Sequence, residues 1–365
     1  MTRRSALALL PAAALAQKRA VRPPKPSGGP YSGGVWAGDL FHVSGHVGPE
    51  PGGGFAPFDI KTQTRRCLDL VGKVLAEAGL DQRHVVSTTL YLTDIRTLDA
   101  ADAAYREVYT APYPARVEIE SHLLIPEALS EVSAVAVRDP AMKKAVSPEG
   151  WPEPKRPVSH AMDAGAALYL SALRPVDPRT GQPVGSTIAG QTAQVMRNRD
   201  AMLAAAGWKP SDLSGSRVFL ADDSHRAGFE AAWRNSTREP LAALRMEPVE
   251  SGHLLQVQTI ARRGPGKVLT ATADGRKPGG GYDRNDIKAQ TRQMLANLQA
   301  EFARGGLSLA DGVDAVVFVR DARHAGAMNE VYREIVKPDP PARATVRLAS
   351  MEPDALIRIL MIAAK

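Results

Sequence analysis

Three stretches decide the fold: IKTQTRRCLDLVGKVLAEAG at residues 60–79, IAGQTAQVMRNRDAMLAAAG at 188–207 and IKAQTRQMLANLQAEFARGG at 287–306. Each opens on Ile, carries Gln-Thr one turn in, and closes on Gly. Landmarks within and beyond these helices hold two constant offsets, 128 and then 99: Gln63, Gln191 and Gln290; Gly79, Gly207 and Gly306; Asp94, Asp222 and Asp321; Tyr105, Trp233 and Tyr332. Chance similarity of amphipathic helices would give one match, not a register sustained through a following strand and a second helix. The chain is therefore three tandem copies of one module.

In the first copy, Leu40 to Ser44 reads as a strand. Asp59 is placed to cap a helix whose apolar stripe is Leu68, Val71, Leu75 and Ala78, and Gly79 to end it in the left-handed conformation. Val85 to Thr93 is β-branched and alternating, Leu98 to Tyr109 is helical with Tyr105 inward, and Arg116 to Leu123 and Glu131 to Arg138 are two closing strands. The expected order is β-β-α-β-α-β-β. Residues 1–26 are assigned to an export signal and tail, and the copies to 27–139, 152–263 and 264–365. Asp139 to Pro157, rich in proline and charge, is the expected linker between copies one and two. Between copies two and three only Arg262 to Lys267 remains, so the third has no room for an opening strand before Val268 to Ala273, and a neighbour is expected to lend it one. An α+β module with both helices on one side leaves the other sheet face bare. Three copies can cover one another, giving a single-chain pseudo-trimer with sheets inside and helices outside, expected to be monomeric.

Composition is ordinary for globular protein, with 44% hydrophobic and 23% charged residues. The net charge of +7 is spread along the chain, and no aromatics interleave with basic runs, which argues against nucleic acid as a partner. Arg3 and Arg4 precede the apolar run Ala6 to Ala16, which ends in Ala14-Leu15-Ala16. This is the anatomy of an export signal, read by either the general secretory or the twin-arginine route since the pattern after the paired arginines fits the latter only loosely, and it places the protein in the periplasm or outside the cell. The run is too short to span a bilayer, so no membrane association is expected once it is removed. Removing residues 1–16 takes away two arginines and no acids, leaving +5. The single cysteine, Cys67, permits no internal disulfide and sits at helical spacing with Leu68, Val71 and Leu75, as a buried structural thiol would.

The first copy reads GPYSGGV (29–35), VSGHVG (43–48), TQTRRCLDLV, TTLYLTD, YPARVEIE (113–120) and SEVSAVAVRD. These motifs, in this order and spacing, resemble those of the RidA (YjgF-like) family, also labelled endoribonuclease L-PSP, and the resemblance recurs three times. It implies chorismate-mutase-like modules with a site in each cleft between neighbours, and hydrolysis of 2-imino or 2-enamino acids to 2-keto acids and ammonia. By the same resemblance the arginine of the PAR segment, Arg116, grips the substrate carboxylate, and Glu131, fifteen residues on, positions water. Tyr31, Ser44 and Gly45 match positions lining that cleft, and neither metal nor organic cofactor is implied. The chemistry is consistent: a planar guanidinium holds a carboxylate by two parallel hydrogen bonds, fixing the adjacent C=N carbon for attack by water. Read without the resemblance, Arg116 and Glu131 could equally be a surface ion pair across adjacent strands.

The other copies depart from the pattern. In copy two the arginine position is Leu244, with Arg245 beside it; Gln256 replaces the glutamate and Val158 the tyrosine, while Ser171 persists. In copy three Arg343 keeps the arginine position but Arg358 stands fifteen residues later, so its cleft is expected to hold two cations and to bind an anion without turning it over. The eight histidines lack metal-ligand spacing, and Gly264-Pro265-Gly266-Lys267 is followed by Val268, which excludes a phosphate loop. Gly52 to Gly54 and Gly279 to Gly281 are turns between strand and helix. Two functions follow as expectations: an imine or enamine deaminase acting on a small carboxylate-bearing metabolite, or a non-catalytic protein of the same fold that binds small anions. A ribonuclease ranks below both, for want of a basic stripe or paired histidines.

Overall fold

The repeated glutamine shows why the modules share one register. Gln63 donates from Nε2 to the carbonyls of Ala56 and Glu127 and accepts at Oε1 from the Leu129 N–H. Gln191 makes the same three bonds with Gly185, Gly252 and Leu254, and Gln290 with Asp283, Asp354 and Leu356. One buried amide thus ties the loop before each first helix to the loop before each last strand. Backbone groups there would otherwise be desolvated without partners.

The computed structural model describes residues 18–22, 29–234, 241–245, 252–264, 266–348 and 351–365. The first module comprises β1 (Arg19–Val21), β2 (Gly34–Ala37), β3 (Leu40–Val47), α1 (Ile60–Glu77), β4 (Val85–Leu92), α2 (Leu98–Val108), β5 (Ala115–Glu120) and β6 (Ser130–Val137). The second comprises β7 (Lys144–Val146), β8 (Ala161–Asp163), β9 (Ala167–Leu170), α3 (Ile188–Ala205), β10 (Leu213–Leu220), α4 (Arg226–Arg234), β11 (Leu241–Arg245) and β12 (Leu255–Arg262). The third comprises β13 (Val268–Asp274), α5 (Ile287–Arg304), β14 (Gly312–Val319), α6 (Ala325–Ile335), β15 (Ala342–Arg347) and β16 (Ile357–Ala364). Sheet orders are β1-β2-β3-β6-β4-β5, β7-β8-β9-β12-β10-β11 and β13-β16-β14-β15. In each, the helix between the third and second strands from the end makes the last pair parallel: β4 with β5, β10 with β11, β14 with β15. Asp59 caps α1 through the Thr62 N–H, and Gly79, Gly207 and Gly306 follow their helices at φ of +76°, +69° and +70°.

Three expectations about boundaries need correction. Residues 19–21, assigned to the tail, form β1, hydrogen-bonded to β2. The linker contributes β7, which pairs with β8 and occupies the place β1 holds in the first sheet. The third sheet borrows no strand: among the described residues β13 is its edge, paired only with β16. An edge strand three residues long lacks the periodicity that sequence reading relies on, so the first two were not visible there. The export segment lies outside the described residues, and no helix among those described is long and apolar enough to cross a membrane.

Each module packs its helices on one sheet face, burying for example Leu68, Val71, Leu90 and Tyr105 in the first and Leu298, Phe302, Val317 and Tyr332 in the third. The opposite sheet faces meet one another. Tyr91, Val117 and Ile119 of the first module, Phe219 of the second, and Val316, Phe318, Val346 and Leu360 of the third share one apolar cluster. A second cluster joins Val35, Val86 and Ala115 to Met162, Tyr169 and Ile260 and to Val313, Ala342 and Ile362. The sheets are inside and the helices outside, because only the neighbouring modules can cover the bare faces. Cys67 is fully buried in α1, and burial pushes its thiol pKa up to about 12, where it is inert.

Candidate functional site

The edge strand of each module meets the opening strands of another, and the clefts form along these seams. Ser32 bridges to Ala342, and β15 of module three runs beside β3 of module one. In β3 the register with β6 slips between Val43 and His46, so Ser44 and Gly45 form a bulge. The His46 Nδ1–H donates to the Ser44 carbonyl at 2.6 Å, bracing it. The Ser44 hydroxyl donates to the Ser32 carbonyl at 2.5 Å and accepts from the Arg343 N–H at 2.8 Å. A bulge serine of one module thereby fixes the backbone that carries the arginine of another.

The Arg343 side chain is 5% exposed. Its guanidinium lies 5.0 Å from the centre of the Tyr332 ring and 5.3 Å from that of Tyr31, and Nη2 donates to Asn329 Oδ1 at 2.8 Å. Nε and Nη1 have no partner among the described residues. A buried guanidinium flanked by two aromatic faces, with donors uncommitted, is built to receive a carboxylate. Desolvation draws its pKa down, opposed by Tyr332, Tyr31 and Glu131.

Glu131, at the start of β6, points into the same cleft. It accepts from the Thr345 N–H of module three, and the positive charge of Arg343 acts on it in favour of the ionised form. A Cβ on Gly45 would collide with Glu131 Oε1, so the glycine of the bulge is what leaves room for the carboxyl. Burial raises the Glu131 pKa to about 8, the strongest influence, against the pull of Arg343 and the Thr345 N–H. A carboxyl with a pKa near neutrality, beside an open guanidinium fork, can both take and return a proton.

The structure separates Arg116 from Glu131. In β4, Thr88 pairs with Arg116 of β5, while Tyr91 pairs with Glu131 of β6. Three residues apart on one strand, these positions face opposite sides of the sheet. The two side chains are therefore neither a catalytic pair nor a surface ion pair: Arg116 is 1% exposed and faces the helical layer, over the Tyr105 ring at 4.5 Å. The expected two-cation cleft is likewise corrected, since Arg358 is held by Glu352 and Asp274 away from Arg343, whose cleft contains Glu131. Tyr31, Ser44, Gly45, Glu131 and Arg343 come together; Arg116 belongs to another cleft.

That other cleft lies between modules one and two and reuses the same backbone device. The Ser171 hydroxyl donates to the Ser159 carbonyl and accepts from the Arg116 N–H at 2.9 Å. There the fork is filled from within: Nε donates to Glu118 at 2.8 Å and Nη2 to Asp102 at 2.6 Å. Burial works against the charge of Arg116, but Glu118, Tyr105 and Asp102 outweigh it and hold the pKa above the ordinary value. At the combined offset of 227, Asp102 and Glu118 correspond to Asn329 and Thr345. Two acid-to-neutral differences thus distinguish an occupied fork from an open one, and the repeat register contained this signal. Gln256, in place of the glutamate, donates to the Glu118 carbonyl at 2.9 Å. Leu244 and Arg245 lie on β11, but their side chains are outside the described residues. No group of three or more His, Cys, Asp or Glu able to hold a metal occurs among the described residues.

A chorismate-mutase-like α+β module, repeated in tandem with clefts at its seams, is the class that this fold and cleft define. The family model described as endoribonuclease L-PSP matches residues 22–138, 149–261 and 271–365, and the chain belongs to this family, the RidA or YjgF-like proteins. Among curated relatives, a RutC family protein of Pyrococcus abyssi is 34% identical over 117 residues, covering 32% of this chain and 91% of the relative. The 2-iminobutanoate/2-iminopropanoate deaminase of Escherichia coli K12 is 34% identical over 113 residues, 30% of this chain and 88% of its own. A solved structure of a YjgF-family member from Mycobacterium tuberculosis is 27% identical, covering 33% of this chain and 99% of that one at a TM-score of 0.30.

Proposed function

We propose that the cleft between modules one and three hydrolyses small 2-imino or 2-enamino acids to 2-keto acids and ammonia. The observation that carries the reading is the pairing of an uncommitted Arg343 fork with a buried Glu131 whose pKa is about 8. Relatives named as 2-iminobutanoate/2-iminopropanoate deaminases support the substrate class. In this scheme Arg343 holds the substrate carboxylate through Nε and Nη1, with Tyr31 against the guanidinium. Ionised Glu131 accepts a proton from water as the oxygen adds to the C=N carbon and passes it to the nitrogen, giving a carbinolamine. It then takes the hydroxyl proton and delivers it to the nitrogen as the C–N bond breaks, so the C=O bond forms, ammonia leaves with the keto acid and Glu131 is again ionised.

The same reading makes the chain a single-chain counterpart of a trimer, monomeric in solution and exported by residues 1–16. Light scattering on the purified protein tests the first point, and N-terminal sequencing of protein recovered outside the cytoplasm tests the second.

The decisive experiment follows imines generated in situ by an amino acid oxidase. Wild type is expected to accelerate keto acid release, Arg343→Ala and Glu131→Ala to lose it at least a hundredfold, and Arg116→Ala to keep it in whatever fraction folds. Loss only in Arg116→Ala, with Arg343→Ala active, would overturn the assignment of the cleft; no activity in wild type would leave the fold as an anion binder.

A further inference from the structure

A chain of three linked modules can close around its axis in two cyclic orders, and only one of them builds the cleft of Arg343 and Glu131. In the observed order β15 of module three runs beside β3 of module one, β5 of one beside β9 of two, and β11 of two beside β13 of three. In the opposite order Arg343 would face Gln256 and Glu131 would face Leu244, so no cleft would pair an open arginine with the glutamate. We infer that a charged cluster buried where the three modules meet, formed by His42, Arg217 and Asp314, recognises the neighbouring module and fixes the productive order.

The cluster takes one residue from each module. Arg217 Nη2 lies 3.4 Å from Asp314 Oδ2, and Nη1 donates to Gln258 Oε1 at 3.4 Å. His42 Nδ1 stands 3.8 Å from the same Asp314 oxygen, and its Nε2 faces Arg262 Nη2 at 3.5 Å. His42, Ser87, Thr89, Arg217 and Asp314 line one small cavity. Burial works against the charge of Asp314, but His42 and Arg217 outweigh it and hold its pKa below the ordinary carboxylate value. Burial also draws the His42 pKa down, so the ring is uncharged at neutral pH and Arg217 is the charge that answers Asp314.

Symmetry does not place these residues. The strand ladders align Ser87, Gly215 and Asp314 as one position of the module, and Thr89, Arg217 and Val316 as another. Three identical chains would set three like residues around the axis, where three arginines or three aspartates would repel one another. Modules joined in one chain can instead carry the arginine in the second and the acid in the third. The contact also has a direction, since Arg217 on β10 reaches Asp314 through the seam where β10 and β11 pack on β13. In the opposite order Arg217 would face Ser87 and Asp314 would face Thr89, leaving each buried charge with a hydroxyl in place of its counter-ion. Removing the partner of a buried charge is strongly destabilising, so the wrong order is penalised where the right one is satisfied.

Moving the acid from module three to module one tests this in the whole chain. Ser87→Asp with Asp314→Ser sets the new acid against Val316 in the observed order and against Arg217 in the opposite one. The order is read by a disulfide. Ser32 bridges to Ala342 where module three meets module one, so Ser32→Cys with Ala342→Cys in a Cys67→Ser chain is expected to oxidise nearly completely. Adding the acid transfer should cut the disulfide yield of the folded fraction at least tenfold and abolish imine hydrolysis, although Arg343 and Glu131 are untouched. A second measurement needs neither the thiols nor the transferred chain: Arg217→Thr and Asp314→Ser, alone and together, are unfolded in urea. The second substitution should change the unfolding constant at least tenfold less when the first is present. The inference is overturned if the transferred chain forms the disulfide as fully as its parent, which would leave the short connection 263–267 to fix the order, or if the two urea costs are additive. The loss of hydrolysis rests on the function proposed above, whereas the disulfide and the urea cycle do not, so an inactive wild type would count against that function alone.

Discussion

At the scale of the residue, the candidate site depends on what surrounds each charge. Glu131 keeps its proton in the folded chain up to about pH 8, whereas in the unfolded chain it titrates near 4.5. Its contribution to stability is therefore fully present below about pH 4.5 and is lost as pH rises through about 8. Glu131→Gln should leave stability unchanged at pH 4 and raise it at pH 9 by several kcal/mol, measured by urea denaturation at both values. In wild type, kcat/KM for the imine should rise with pH and level off above about 8, as the ionised carboxyl becomes the prevailing form. Gly45→Ala places a methyl group on the Glu131 carboxyl and should cut turnover sharply with a small change in Tm, checked by assaying and melting the same preparation. The importance of Gly45 and Ser44 was legible as a motif, but the reason was not: the bulge, and the carboxyl it makes room for, exist only once β3 pairs with β6.

At the scale of the element, the helices were read correctly because caps and periodicity are local. Asp59 and Gly79 end α1 where their side-chain chemistry and backbone freedom demand. Asp59→Ala should cost about 1 kcal/mol, an ordinary capping loss. Gln63→Leu should cost more, about 3 kcal/mol, because it removes three buried hydrogen bonds and strands the Glu127 carbonyl and the Leu129 N–H. Comparing their urea midpoints decides whether the glutamine or the cap is the greater local anchor. The strands were less legible at their ends: the segment predicted to run to Leu123 stops at Glu120, yet Leu123 still bridges to Val346 of the third module. That contact is set by the neighbouring module, which local pattern cannot report.

At the scale of the whole molecule, the seams between modules, two of them built by the same serine device, have diverged into different sites. One has an open arginine with a buried acid, a second has an arginine filled by Asp102 and Glu118, and at the third Arg358 is held by Asp274 and Glu352. The difference between the first two can be transplanted. Asn329→Asp together with Thr345→Glu should fill the Arg343 fork from within and raise KM for the imine at least tenfold. Glu131, left in place, should keep the pH dependence of the remaining activity, which a pH profile of the double variant would check.

The sequence by itself determined the module, its threefold repetition, the positions of the caps and the residue types available for chemistry, because these depend on neighbours within a few turns of chain or on a constant register. Only the tertiary structure decided which residues meet. Arg116 and Glu131 lie in one module fifteen residues apart but face opposite sides of its sheet. Glu131 and Arg343 lie in different modules but share a cleft, because the bare sheet faces had to be covered by one another and so brought the edge of the third module against the bulge of the first. Strand parity and inter-module packing are long-range properties, and it is these that select the arginine facing the acid.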